Sequence, residues 1–285
     1  MECPILVWMM VYNRPFKPEE YEKVYQTVQI CVPHAQILYE PGSKEMAVKS
    51  MAYLMPLLMM RHRRIPRSKW RDSALPNGKR WIEQAWDRRV DPMRRMHSFI
   101  GYHIGMCNNL IGMVMVQGRQ RDIVTSGIGI QQLGTVPPDT SISDYLESNY
   151  HKLTQREIES LGEDEETMLR RLCLLLALKK AYLEATGNTM VDHTIIEFDI
   201  PNEKVYHDGK PLDGWEFRVW TSALNVSPTG NLEDLVDQEY QCATAFFRGH
   251  RGSRFIWQRD RKQLESWVQF LSVDQLLLVL PKLAD

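Results

Sequence analysis

The run from Glu163 to Asn188, EDEETMLRRLCLLLALKKAYLEATGN, most limits what this chain can fold into. Gly162 interrupts whatever precedes it. Glu163, Asp164, Glu165 and Glu166 then crowd a first turn, where carboxylates meet unpaired N–H groups and the positive end of a helix dipole. Strong helix formers follow without proline or internal glycine, and Gly187-Asn188 stands where a left-handed C-cap belongs. Asp164 to Thr186 predicts a helix of roughly 35 Å at 1.5 Å per residue. Leu172 through Leu178 is unbroken apolar sequence, and Arg170-Arg171 and Lys179-Lys180 fall on opposite sides at about 100° per residue. A helix that is apolar all round is buried. The expected fold is therefore α+β, with a mainly helical core around one long buried helix (about 164–186) and a small antiparallel sheet.

Other segments are read against that helix. Ile5 to Tyr12 is a β-rich apolar run between prolines and predicts a buried strand. Pro18 opens a helix over Glu19 to Val28, and Ala35 to Tyr39 reads as a short strand. Ser43 caps a methionine-rich helix that Pro56 disturbs near its end; the methionines there are core filling. Lys79 to Arg89 reads as helix. Met96 to Val116 is either a glycine-containing helix or a pair of strands. Asp122 to Ile130 predicts a strand whose glycines permit close backbone approach. Thr154 to Glu157 fits a capping box. His193 to Ile200 and Trp215 to Thr221 have strand composition, and Asp208-Gly209 and Asp213-Gly214 are hairpin turns. Leu232 to Phe247 is expected to be helical, Phe255 to Trp257 a strand, and Leu264 to Leu271 and Val273 to Leu280 closing helices. No internal repeat is visible. Thr135-Val136-Pro137-Pro138 marks a boundary between an N-terminal lobe (1–138), which carries a basic segment (61–95), and a C-terminal lobe (139–285) with the central helix and hairpin, unless the chain is one domain.

Chemical motifs are scarce. The glycines of Gly127, Gly129 and Gly134 have the wrong spacing for a dinucleotide fingerprint, and no phosphate-binding G-x4-G-K-[ST] loop exists. His97, His103 and Cys107 lie close in sequence but lack a fourth ligand, so neither a metal nor a cofactor is expected. His207-Asp208 is turn chemistry, and Asp192, Glu197 and Asp199 suit a solvent-facing strand. Five scattered cysteines without a C-x-x-C pair argue against a disulfide framework and for a reducing compartment. The first residues lack a basic region ahead of an apolar one, and Met46 to Met60 is too short to span a bilayer, so an intracellular, cytoplasmic protein is expected.

Charge carries the functional reading. The formal net charge is −1, yet Arg61 to Arg95 holds twelve basic and four acidic residues, and Arg248 to Lys262 six against one. Arg61, Arg63, Arg64, Arg67, Lys69 and Arg71 surround Trp70, and Lys79, Arg80 and Trp81 follow. Clustered arginines suit phosphates, and neighbouring rings stack on unpaired bases. Arg248, Arg251 and Arg254 form a second cationic loop able to join the same groove. The sequence thus reads as a non-catalytic nucleic-acid-binding subunit, with RNA or single strands favoured. The alternatives are a structural subunit of a larger assembly that docks through the basic surface, and an enzyme whose site is scattered in sequence.

Overall fold

The computed structural model describes residues 5–85, 98–137, 140–188 and 191–283. Strand β1 (Ile5–Val11) leads into helices α1 (Pro18–Cys31) and α2 (Lys44–His62). Then come strands β2 (Trp70–Ala74), β3 (Arg80–Gln84), β4 (Phe99–Cys107) and β5 (Leu110–Gly118), short helix α3 (Gln120–Ile123) and strand β6 (Ser126–Gln132). Helices α4 (Ile142–Asn149), α5 (Gln155–Glu159) and α6 (Glu165–Thr186) precede a small sheet of β7 (Ile196–Asp199), β8 (Lys204–His207) and β9 (Lys210–Pro211). The chain closes with β10 (Trp215–Val226), β11 (Val236–Phe247), β12 (Arg254–Trp257), α7 (Arg261–Glu265), β13 (Val268–Ser272) and α8 (Val273–Val279).

These elements stack in four layers. A six-stranded mixed sheet has the order β13-β1-β5-β4-β3-β2, and a four-stranded sheet the order β12-β10-β11-β6. Side chains alternate along a strand, and β1 displays the consequence. Trp8 and Met10 point into one core with α2, whereas Val7 and Met9 point into another with Ile128, Ile130, Trp220 and Tyr240 of the four-stranded sheet. The opposite face of that second sheet carries Phe217, Val219, Ala243 and Ala245 against α6. The order is thus α2, six-stranded sheet, four-stranded sheet, α6. Each half repeats one topology: a strand, a packing helix, then two antiparallel strands, the second of which pairs with the first strand (β1-β5-β4 and β6-β11-β10). The sequence carries no sign of this repetition, because layer packing constrains polarity and not residue identity.

The α+β class holds, but the mainly helical core with a small sheet does not. Helix α6 forms as expected. Asp164 accepts from the Glu166 and Thr167 N–H groups, and Gly187 takes φ 74° at the C-cap. It is nonetheless an outer layer, apolar on its far side because α4, α5 and the small sheet cover it through Tyr145, Leu161, Ile196 and Phe198. Lys179 is also buried, paired at 2.8 Å with Glu157, and both side chains are 0% exposed.

Several local expectations fall to sheet pairing. Residues 236–247 form β11, a central strand between β10 and β6, in place of a helix. Residues 268–272 join β1 as an edge strand, and residues 80–84 pair with β2 and β4. Ala35 to Tyr39 is irregular. Of the stretch Met96 to Val116, Met96 and His97 lie outside the described residues, and the remainder falls in β4 and β5, which pair with each other. Pro56 does not interrupt α2, because the following turn buries Leu57, Leu58, Met59 and Met60. Gly214, at φ 87°, immediately precedes β10, which does not pair with β9, so it does not close a hairpin. The glycines of β6 do permit close approach: a Cβ on Gly129 would sit 2.0 Å from the Ala177 carbonyl oxygen of α6. No helix among the described residues is long and apolar enough to cross a membrane.

Candidate functional site

A cavity of about 280 Å³ opens between the end of α1, the middle of α2, the β2–β3 hairpin and β4. Its walls bring together residues far apart in sequence. Lys49 and Tyr53 come from α2, Arg67, Trp70, Asp72 and Arg80 from the hairpin region, and Tyr102 and His103 from β4. The hairpin delivers its charges because Arg80 and Asp72 occupy facing strands. The Arg80 Nη1 donates to the Asp72 carboxylate at 2.9 Å. Tyr102 donates its hydroxyl to the same carboxylate at 2.9 Å, and His34 Nε2 lies 3.5 Å from it. Burial, and then the Asp72 charge, push the Tyr102 phenol well above its ordinary value. Burial also lowers the His34 imidazole, with the Arg80 charge acting in the same direction. Arg67 stacks 4.2 Å over the Trp70 ring and donates to the Cys31 and Trp70 carbonyls. Its guanidinium is thus held in one plane, a geometry suited to bidentate anion recognition.

His103, one of the lining residues, also belongs to a buried polar cluster where β4, β6 and α6 meet. The Ile128 N–H donates to His103 Nδ1 at 3.3 Å, so Nδ1 is an acceptor and the ring proton sits on Nε2. That proton points to Glu184, 2.9 Å away. Burial lowers the His103 imidazole, outweighing the Glu184 bond that would raise it. At Glu184, burial acts upward but is overcome by the His103 bond and by the charges of Lys180 and Lys79, so its carboxyl is lowered. Lys79 donates to the carbonyls of Ser126 (2.5 Å) and Glu184 (2.8 Å). Burial pulls its ammonium down to about 8, against the opposing Glu184 charge. Lys180 reaches the Met106 carbonyl at 3.2 Å. The neutral His103 has both ring nitrogens engaged and serves to orient Glu184.

The basic segment is therefore divided. Arg67, Trp70 and Arg80 line the cavity, but Trp70 is only 5% exposed and offers no open stacking platform. Lys79 is 5% exposed and spent on backbone carbonyls. Arg63 bonds Gln117 at 2.9 Å, Trp81 packs on the inter-sheet core, and Arg61, Arg64, Lys69 and Arg71 lie at the surface. Arg88, Arg89, Arg94, Arg95 and His97 lie outside the described residues. Arg248 and Arg254 converge instead on Glu216, together with Arg218. Arg248, Arg251 and Arg254 edge a separate depression that shares no lining residue with the cavity. The Glu216 carboxyl feels burial upward, but the Arg254 and Arg218 bonds dominate and hold it at about 2. Among the described residues no group of three or more His, Cys, Asp or Glu could hold a metal ion. His103 and Cys107 lie on one strand, and Cys31, Cys107, Cys173 and Cys242 are free thiols. Sequence reasoning considered His103 only as a ligand and missed Glu184, Asp72, Tyr102, Lys49 and His34. The 81-residue separation of His103 and Glu184 leaves no local signal.

No family model matches the chain. Its sequence is, however, similar to that of a transferase. The relative is the 4'-phosphopantetheinyl transferase pptA of Paxillus involutus, 27% identical over 236 residues, which cover 79% of this chain and 83% of that protein. This likeness overturns the non-catalytic assignment, the nucleic-acid-binding or assembly-subunit role and the nucleic-acid partner inferred from charge. Of the arginines that prompted those readings, Arg67 and Arg80 line the cavity and Arg248 and Arg254 pair with Glu216.

Proposed function

We propose that this chain is an enzyme that transfers the 4'-phosphopantetheinyl group of coenzyme A to a hydroxyl of a carrier protein. The observation that carries this reading is the likeness to a 4'-phosphopantetheinyl transferase over 79% of the chain; the chemistry of the cavity supports it. Coenzyme A is a polyanionic nucleotide with a long, weakly polar arm. Lys49, Arg67 and Arg80 supply positive charge, while Ala52, Pro56, Leu57 and Ile104 supply apolar wall. In the transfer, the acceptor oxygen bonds to phosphorus as the phosphoanhydride P–O bond breaks. Charge passes to the departing nucleotide phosphate and a proton leaves the acceptor hydroxyl. Preorganised cations are most effective where such charge develops, because they need not reorient. Asp72 fixes Arg80, and the Trp70 ring and two carbonyls fix Arg67. Glu184, held by His103, lies outside the lining of this cavity, so the proton of the acceptor hydroxyl passes to solvent.

The test pairs calorimetry with mass spectrometry. The protein should bind coenzyme A saturably and add one phosphopantetheinyl group to an apo carrier protein. Binding without any mass gain refutes transfer, and neither binding nor mass gain refutes the reading altogether.

A further inference from the structure

Among the described residues the cavity lining holds two imidazoles, and they are not equivalent. His103 has Nδ1 accepting from the Ile128 N–H and Nε2 facing Glu184, so a second ring proton there would break the Ile128 bond. His34, just beyond α1, is placed differently. Its side chain is 35% exposed, and its Nε2 lies 3.5 Å from the Asp72 carboxylate. The Tyr53 ring of α2 meets the imidazole edge-on, with centroids 5.9 Å apart. Asp72 holds Nε2, so a proton gained by this ring goes on Nδ1, and an imidazolium donates from both nitrogens.

Charged groups face His34 from several elements. Burial is the largest influence and lowers its imidazole; the Arg80 charge on β3 and the Arg67 charge ahead of β2 act the same way, and the Asp72 charge on β2 opposes them. Asp72 already accepts from Arg80 and from Tyr102 of β4. From α1 and α2 the lining adds Cys31, Lys49 and Tyr53. Burial raises the Cys31 thiol and the Tyr102 phenol, so neither carries charge near neutral pH. Arg67, Arg80 and Lys49 thus share this lining with the Asp72 carboxylate, and a further positive charge is unfavourable until an anion arrives. A polyanion reverses that balance. One negative charge about 5 Å from the ring, at an effective dielectric constant of about 20, raises an imidazole pKa by about two. That is enough to carry a neutral ring to a charged one near neutral pH.

We propose that His34 couples occupancy of the cavity to pH: when a polyanionic nucleotide enters, His34 takes one proton from solvent onto Nδ1 and pairs with a phosphate oxygen. The inference rests on the transferase reading for its ligand, coenzyme A, and adds a regulation of the same site. The sign follows from linkage. Protonation favours the bound state, so affinity rises as pH falls through the value of the bound imidazole and levels off below that of the free one.

The experiment is calorimetric titration of the full chain with coenzyme A in HEPES and in Tris buffer. These buffers differ in ionisation heat, so the difference between the two observed heats counts the protons taken up. At about pH 7.5, between about half a proton and one should enter per bound ligand, and affinity should rise about fivefold to tenfold from about pH 8 to about pH 7. His34→Gln should lose the uptake and flatten the pH profile. His34→Lys, charged throughout this range, should bind without uptake and at about pH 8 at least as tightly as the parent. If His34→Gln melts early, His34→Lys decides. Absence of coenzyme A binding refutes the transferase reading, and the inference falls with it. Binding without proton uptake, uptake that persists in His34→Gln, or a His34→Lys variant that keeps the parent's pH profile overturns the inference alone.

Discussion

Replacing Glu157 by alanine leaves the Lys179 ammonium buried without its counter-charge. In the intact protein the Glu157 carboxylate lies 2.8 Å from Lys179 Nζ, and it also accepts from the Phe198 and Thr154 N–H groups at 2.9 Å. Lys179 donates further to the His193 and Ile196 carbonyls. The pair ties α5, α6 and β7 together at a point where both side chains are 0% exposed. Removing one partner of a buried pair costs about 3–5 kcal/mol, and orphaning the buried Phe198 N–H adds to it. Set against about 5–15 kcal/mol of total stability, the variant should lose a large fraction of it in urea unfolding at neutral pH. Lys179→Met should cost less, because Glu157 keeps two N–H donors. A pH series sharpens the test. Burial lowers the Lys179 pKa even with Glu157 present; the unfolded chain then binds more protons, and stability rises with pH between the folded value and about 10.4. Without Glu157 the folded value falls further, so the rise should begin at lower pH and be larger. A loss under about 1 kcal/mol, or a flat pH profile, would refute the claim that the pair is buried and charged.

Three further outcomes are expected. Glu216 has its folded pKa depressed to about 2, so its contribution is present above the unfolded value near 4.3 and lost as pH falls toward 2, a change of about 3 kcal/mol; Glu216→Gln should flatten that part of an acid-unfolding profile. Gly129→Ala should cost about 3 kcal/mol in urea unfolding, since the new Cβ meets backbone of α6 at 2.0 Å, whereas Gly134→Ala, with nothing within 4 Å, should lie within about 0.5 kcal/mol of the parent. Arg80→Ala should weaken coenzyme A binding by calorimetry about tenfold or more, the worth of one charge-assisted hydrogen bond at about 1.5–3 kcal/mol, while Arg61→Ala at the surface should leave it unchanged.

Sequence alone determined the elements whose signals are local. The acidic first turn, the apolar middle and Gly187 settled α6, because caps, propensity and dipole act within a turn or two of the residues that carry them. Ser43, Thr154 and the Ile5–Val11 run were legible for the same reason. Tertiary structure decided everything that depends on a distant partner. Val236–Phe247 is a strand because β10 and β6 claim both its edges, a competition that no window of its own residues records. Lys179 is core because Glu157 arrives from another helix, and Arg67, Asp72 and Arg80 became cavity wall because a hairpin folds back on β4. The charge excess of residues 61–95 was visible in sequence, but its meaning was not. Net charge counts residues without direction, whereas function follows from which atoms each cation already touches, and only the packed layers set that.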